Sequence, residues 1–191
     1  MKLIKIILVS LPLYLLSSFS SNSTSSYAPN YYEEVNPIEI PTPPLPIKIP
    51  INDKSHYHFL TAIGHMESGN RYDIVNKWGY MGRYQFGKST LRTLGYKVTR
   101  KEFLSNHSLQ EEAMLSLLQH NQYSLKYYIK TYEGQNIWGV NITESGLLAA
   151  AHLAGSGNVI KFFDKGSDFA DANGTKMTFY MKQFGGYRLN I

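Results

Sequence analysis

The stretch AIGHMESGNRYDIVNKWGYMGRYQFG, residues 62–87, decides how the rest of this sequence is interpreted. It begins inside an apolar pattern in which Phe59 and Ile63 recur at helical spacing. This pattern predicts a first helix from about His56 to Ser68. Gly69 follows at once, and glycine tolerates the left-handed turn that ends many helices. The helix is therefore expected to stop where a glycine-rich and aromatic segment begins.

A single carboxylate, Glu67, lies in the last turn of this predicted helix, among apolar and aromatic neighbours. A carboxyl group held at a defined place in such surroundings is a candidate general acid. The alternative is a solvent-facing glutamate at a helix end, which is the commonest fate of this residue type. The residues that follow favour the catalytic interpretation.

ESG at residues 67–69, followed by GYMGRYQF at residues 79–86, resembles the active-site segment of bacterial and phage lytic transglycosylases. That family has the lysozyme-like fold of the goose-type lysozyme superfamily, and the resemblance covers about His56 to Tyr187. It implies cleavage of the β-1,4 bond between N-acetylmuramic acid and N-acetylglucosamine in peptidoglycan, with an anhydromuramyl product. It also implies that Glu67 is the only acid/base.

The same resemblance suggests which residues bind substrate. Ser68 matches a family serine that faces the sugar, with a helix-end hydrogen bond as its alternative role. One wall of the cleft is expected to consist of Tyr80, Met81, Gly82, Tyr84 and Gln85. Gly82 would permit close approach of a ligand to the backbone. A place in the core is the alternative for Tyr84.

AAHLAGSG at residues 150–157 resembles the A-Y-N-x-G region of the family, which lines the cleft opposite the glutamate. This sequence departs from the pattern, because His152 occupies the tyrosine position and Leu153 the asparagine position. His152 is expected to contact substrate, and a buried, hydrogen-bonded histidine is the alternative. Tyr187 is expected to be the late tyrosine that bonds near the catalytic carboxylate, with packing as its alternative.

The reaction depends on whether a second carboxylate lies near Glu67. A hydrolytic muramidase of the same fold needs an acid and a base or nucleophile, whereas a transglycosylase needs one residue. Asp73 is the best-placed second carboxylate, because it follows Glu67 closely in sequence. The other candidates are Glu144, Asp168 and Asp171. A non-catalytic peptidoglycan-binding module is a further alternative.

No metal and no cofactor are expected. Three histidines, His56, His58 and His65, precede Glu67 closely in the sequence. His58 and His65 share a predicted helix face but lie two turns apart, which is too far for one ion. The H-E-x-x-H motif of metallopeptidases is absent.

The chain divides into three parts. Residues 1–20 have the positive start, apolar stretch and small residues of a signal peptide, with an uncleaved anchor as the alternative. Residues 21–53 hold seven of the eight prolines and predict an extended tether, with an edge strand as the alternative. Residues 54–191 form the expected transglycosylase domain. The protein is expected to be exported, to the periplasm or beyond, and is not expected to be a lipoprotein, because the sequence contains no cysteine.

Charge indicates which partners the domain meets. Residues 54–191 contain 16 lysines and arginines against 10 aspartates and glutamates. A basic exported domain suits peptidoglycan strands, with peripheral contact to anionic wall polymer or a membrane surface. Nucleic acid is not an expected partner, because no basic stripe with interleaved aromatic residues is present. The domain is expected to act as a monomer.

The predicted fold is mainly α: a lysozyme-like (α+β) fold with a long central helix and a small β-like insert after the first helix. Two sequences fit the capping box, one starting at Thr99 and one at Ser108, and each predicts a helix start. The second would open the longest helix, residues 109–132. Further helices are expected at residues 88–94, 144–153, 156–163 and 175–184.

Overall fold

The computed structural model describes residues 54–191. The expected signal peptide and tether, residues 1–20 and 21–53, lie outside the described residues. Helices account for 57% of the described part, so the mainly helical prediction is confirmed. No helix within residues 54–191 combines the length and hydropathy needed to cross a bilayer.

Seven helices and one small sheet make up the described part of the chain. The helices are α1 His56–Ser68, α2 Lys88–Thr93, α3 Arg100–Ser105, α4 His107–Tyr132, α5 Glu144–Ala154, α6 Ser156–Lys165 and α7 Met177–Gln183. The antiparallel strands β1 Asn136–Ile137 and β2 Val140–Asn141 connect α4 to α5. The regular sheet therefore follows the long helix and not the first one.

The expected β-like insert after α1 is an irregular segment, residues 69–87, which we call the cleft loop. It contains two isolated antiparallel bridges, Val75 with Met81 and Met81 with Phe86. Gly82 has φ 74° and Gln85 has φ 50°, so the backbone turns twice between the bridged residues. Such left-handed positions interrupt an extended run. The cleft loop consequently makes isolated bridges and no continuous strand pair.

Local capping signals set most helix starts. Thr99 accepts a hydrogen bond from the Glu102 N–H, and the Glu102 side chain accepts one in return, which confirms this capping box. The Thr143 side chain caps α5 as expected. The capping box predicted at Ser108 is wrong. Asn106 caps α4 instead, by accepting from the Leu109 N–H at 3.0 Å.

The last helix also starts later than predicted. Asp171 Oδ1 accepts hydrogen bonds from the N–H groups of Asn173 at 2.9 Å and Thr175 at 2.8 Å. These bonds hold Thr175 in a loop turn, so it is not available to begin a helix. The helix α7 begins at Met177.

Helix α5 lies at the centre of the core, and α4, α6 and α7 contact it. Every residue from Ser145 to Ala151 is buried. Leu148 is fully buried, and burying a side chain of this kind contributes about 1.5–3 kcal/mol. Gly146 allows α7 to approach closely, because a Cβ there would lie 2.5 Å from the Met181 carbonyl oxygen. The packing of α7 against α5 therefore sets the positions of the α7 side chains.

Candidate active site

Glu67 lies at the wall of a pocket at the end of α1. The helix ends there because Gly69 adopts a left-handed conformation with φ 65°. The Glu67 side chain is 16% exposed, and its pocket has a volume of about 310 Å³. That size is near the lower end of the range for small-molecule sites. Glu67 is therefore partly buried at a site that a ligand can enter.

Tyr180 fixes one oxygen of Glu67. The Tyr180 O–H, delivered by α7, donates a 2.7 Å hydrogen bond to Glu67 Oε1. Burial, together with the adjacent Glu67 carboxylate, raises the pKa of Tyr180 well above its usual value, so it stays a donor at neutral pH. Within residues 54–191 no partner is bonded to Glu67 Oε2. This second oxygen is available to a ligand.

His152 lies beside the same carboxylate. Its Nε2 is 3.8 Å from Glu67 Oε1, and its side chain is 6% exposed. Burial lowers the pKa of His152, and this effect outweighs the opposing influence of the Glu67 carboxylate and the Tyr84 carbonyl. The imidazole is accordingly neutral at neutral pH. His152 is therefore buried, as its alternative role predicted, and it also lines the pocket, so its contact with substrate stays a prediction.

Four of the expected site residues share the pocket: Glu67, Tyr80, Gln85 and His152. The structure adds Trp78, which is 47% exposed and lines the pocket beside Tyr80. Asn76 Oδ1 accepts from the N–H groups of Trp78 at 2.9 Å and Tyr80 at 3.1 Å. These bonds fix the backbone that presents both rings. The sequence signal for Trp78 was its position one residue before the family-like motif.

Three expected binding residues serve the fold instead. The Ser68 Oγ donates to the Arg83 carbonyl at 2.8 Å and accepts from the Arg71 N–H at 3.0 Å. It therefore ties α1 to the cleft loop, as its alternative role predicted. Met81 and Tyr84 are 1% and 0% exposed. They are core residues and do not form the cleft wall.

A partly buried polar network anchors the cleft loop to α4. Arg83 Nη1 donates to Glu111 Oε1 at 2.8 Å, and the Tyr84 O–H donates to Glu111 Oε2 at 2.6 Å. The Tyr72 O–H donates to Glu111 Oε1 at 2.7 Å. Burial and the Glu111 carboxylate both raise the pKa of Tyr84, so its hydroxyl stays protonated. Glu111, expected to close a capping box, is instead the hub of this network.

Glycine is needed at position 82 because the Gln110 side chain occupies the space that a Cβ would take. A Cβ at Gly82 would lie 2.0 Å from Gln110 Oε1. The Gln110 side chain is fully buried and bonds the Arg83 N–H at 2.8 Å and the Phe103 carbonyl at 2.8 Å. It therefore has little freedom to move. The expectation that Gly82 faces substrate is wrong.

We expect Gly82→Ala to destabilise the fold more than Gly79→Ala. Both positions have positive φ, 74° and 87°, so alanine is strained at each. Only Gly82 has a neighbour within 4 Å of the added Cβ. Overpacking adds about 2 kcal/mol at Gly82. Urea unfolding measures the difference, and equal losses in the two variants would contradict this close contact.

Tyr187 does not reach the carboxylate. Its ring packs against Phe59 with 5.6 Å between centroids, and its N–H donates to Ser145 Oγ at 3.0 Å. The chain turns at Gly186, which has φ 82°, after leaving α7. The late tyrosine that bonds Glu67 is Tyr180. The prediction that Tyr187 bonds near the carboxylate is therefore wrong.

Asp171 is the second carboxylate in the Glu67 pocket. Two N–H groups of the following loop bond its Oδ1, which fixes the side chain. Asp73, the candidate favoured from sequence, is exposed and does not line the pocket. Glu144 and Asp168 do not line it either. Proximity in sequence was a poor guide, because the cleft loop turns Asp73 outward.

Among residues 54–191, no group of three or more histidine, aspartate and glutamate side chains is arranged to hold a metal ion. Tyr180, His152 and Asp171 are the polar side chains placed around Glu67. Comparisons of the chain with protein-family models, curated proteins and solved structures find no match.

Proposed function

We propose that residues 54–191 form a lysozyme-like domain and that the protein is a peptidoglycan lytic transglycosylase with Glu67 as its single acid/base. The observation that carries this proposal is the setting of Glu67. One of its oxygens is held by Tyr180 at 2.7 Å, and the other is open to a pocket. The resemblance of residues 67–69 and 79–86 to the family's active-site segment supports the same reaction.

The reaction needs one carboxyl group that acts twice. Protonated Glu67 gives its proton to the glycosidic oxygen between N-acetylmuramic acid and N-acetylglucosamine, and that bond breaks. The resulting carboxylate then takes the proton of the muramyl primary hydroxyl, whose oxygen attacks the anomeric carbon and closes the anhydro ring. Because the nucleophile belongs to the substrate, no second protein residue has to activate water. Glu67 ends the cycle protonated, as it began.

The surroundings of Glu67 suit a glycan strand. Trp78 and Tyr80 are 47% and 46% exposed and line the pocket beside the carboxyl group, so a ligand can contact both rings. A second pocket adjoins that of Glu67 and shares Tyr80, Gln85 and His152 with it. We take the two adjoining pockets together as one groove. A polymer can therefore lie across the carboxyl group with sugars on either side of the bond to be cut.

A hydrolytic muramidase of the same fold is the second candidate, and Asp171 favours it. This carboxylate lines the Glu67 pocket and is held by backbone N–H groups, so it can position or activate water. Hydrolysis would leave a reducing end instead of an anhydro ring. We place the transglycosylase first because the motif-bearing residue is Glu67 and the reaction requires no partner for it.

The direct test incubates purified peptidoglycan with the full chain and identifies the soluble fragments by liquid chromatography and mass spectrometry. Anhydromuramyl ends are expected. Reducing muramyl ends would replace the proposal with the muramidase, and Asp171→Asn should then abolish activity. Retention of the protein on peptidoglycan without any fragment would indicate a binding module. The predicted signal peptide agrees with a substrate outside the membrane and stays a prediction.

We expect Tyr180→Phe to lower the cleavage rate about tenfold to a hundredfold, the range for losing one hydrogen bond to a charged group. Phenylalanine keeps the ring in place and removes only the donor to Glu67 Oε1. Tyr187→Phe is the matched control, since Tyr187 packs on Phe59 instead. Initial rates of fragment release from labelled peptidoglycan measure both. Equal cleavage rates in the two variants would show that the hydrogen bond from Tyr180 to Glu67 does not contribute to catalysis.

A further inference from the structure

The part of the groove away from Glu67 has a lining of mixed polarity that the proposed reaction does not use. This pocket, which we call the distal pocket, has a volume of about 390 Å³. Its walls come from α2, α4, the end of α5 and the start of α6. Four residues also line the Glu67 pocket: Tyr80, Gln85, His152 and Leu153. It is therefore placed to hold a sugar next to the one being cleaved.

One buried polar atom belongs to Asn121, which lines this pocket. Asn121 Nδ2 is buried and has no hydrogen-bond partner within residues 54–191. Asn121 is 3% exposed. Leaving such an atom without a partner costs about 1–3 kcal/mol. Asn121 lines the pocket, so a ligand held there can contact its side-chain amide.

The lining of the distal pocket indicates the kind of partner. Side-chain hydroxyls come from Ser89, Thr90 and Thr93, and apolar surface comes from Leu94 and Leu117. No aspartate, glutamate, lysine or arginine lines it. A peptide rich in lysine or arginine would lose hydration there without gaining an opposite charge. A neutral group with an amide, a methyl and hydroxyls matches the lining.

The asparagine amide can serve such a group in either sense. Turning the amide about its last bond exchanges its NH₂ and C=O ends, so it can donate to a carbonyl or accept from an N–H. The acetamido group of an N-acetylhexosamine offers both. A hexose bears a hydroxyl at the same ring position and lacks the carbonyl.

We propose that the distal pocket is a recognition site for the acetamido group of an N-acetylhexosamine, with Asn121 as the residue that reads it. This inference rests on the proposed function, because the acetylated glycan is the substrate class assigned there. It adds a specificity-determining residue on α4, outside the family-like motifs. Asn121 accordingly lowers stability in the free protein and contributes affinity in the complex.

The test measures binding without turnover, so a failure of the proposed reaction does not affect it. Full-length Glu67→Gln protein is titrated by calorimetry with tetra-N-acetylchitotetraose and with cellotetraose, which is a neutral tetramer without acetamido groups. We expect preference for the acetylated tetramer. Asn121→Leu should weaken acetylated binding about tenfold and leave cellotetraose binding unchanged. Gln119→Leu, an exposed α4 residue outside the pocket, is the control and should change neither.

Two further readouts separate recognition from a structural role. Asn121→Leu is expected to melt at the same temperature or higher, because it removes a buried group without a partner. In the protein that retains Asn121, its side-chain NH₂ resonances should shift on titration with the acetylated tetramer and not with cellotetraose. Unmoved resonances, no binding of either tetramer, or an unchanged preference in Asn121→Leu would each overturn the proposal.

Discussion

Glu67→Gln is expected to lower peptidoglycan cleavage at least about a thousandfold. General acid–base catalysis contributes about a hundredfold to ten-thousandfold in one step, and Glu67 serves both steps of the proposed reaction. Glutamine has the same shape, and its carbonyl oxygen can still accept from Tyr180 O–H. The fold and the affinity for glycan should therefore persist while the chemistry is lost.

Rates of anhydromuramyl end formation measure this loss, with binding to intact peptidoglycan as the check on the site. Asp73→Asn is the control, since Asp73 is exposed and lies outside the pocket. We expect wild-type rates from it. Undiminished cleavage by Glu67→Gln would show that Glu67 is not the acid/base. Loss of cleavage in Asp73→Asn would show that Asp73 is a second catalytic carboxylate.

Glu111→Ala is expected to lower the free energy of unfolding by about 2–4 kcal/mol. The substitution leaves the Arg83 guanidinium, 12% exposed, without its carboxylate at 2.8 Å. It also leaves the buried Tyr84 hydroxyl without its acceptor. Removing one partner of a buried pair costs more than the pair contributes, because the remaining charge stays desolvated. The 34% exposure of the Glu111 side chain keeps the value below the upper end for such pairs.

Urea unfolding of Glu111→Ala beside Glu112→Ala tests this prediction. The two glutamates are adjacent on α4, and only Glu111 bonds the cleft loop. Glu112 is exposed, so its replacement should change stability by about 0.5 kcal/mol or less. Similar losses for both would show that the network contributes no more than an ordinary surface glutamate.

The features predicted correctly from sequence depend on neighbours along the chain. The bounds of α1 follow from its apolar spacing and from Gly69, and the start of α3 follows from the Thr99 capping box. The start of α4 was missed for a non-local reason. Glu111 bonds Arg83, which is 28 residues away, so it does not fold back onto a cap at Ser108.

In the candidate site, too, residues within a local motif were predicted and a residue brought in from a distant part of the chain was not. A motif identified Glu67, Tyr80, Gln85 and His152, and the structure brings these four to one pocket. Tyr180 was missed because it is 113 residues from Glu67 and meets it only through the contact of α5 with α7.

Core residues in the same motif could not be separated from pocket residues by sequence. Tyr84 and Met81 alternate with pocket residues along the cleft loop. Positive φ at Gly82 and Gln85 breaks the simple two-residue period that a strand would give. Asn121 belongs to no motif, and only the fold shows it without a partner at the groove.

The most direct test of the central claim is digestion of peptidoglycan by the full chain in water enriched in heavy oxygen, with the new ends identified by mass spectrometry. If Glu67 works alone and the muramyl hydroxyl is the nucleophile, the new ends are anhydromuramyl and carry no heavy oxygen. Reducing ends that carry one heavy oxygen would show that water is the nucleophile and would contradict the single-carboxylate reaction.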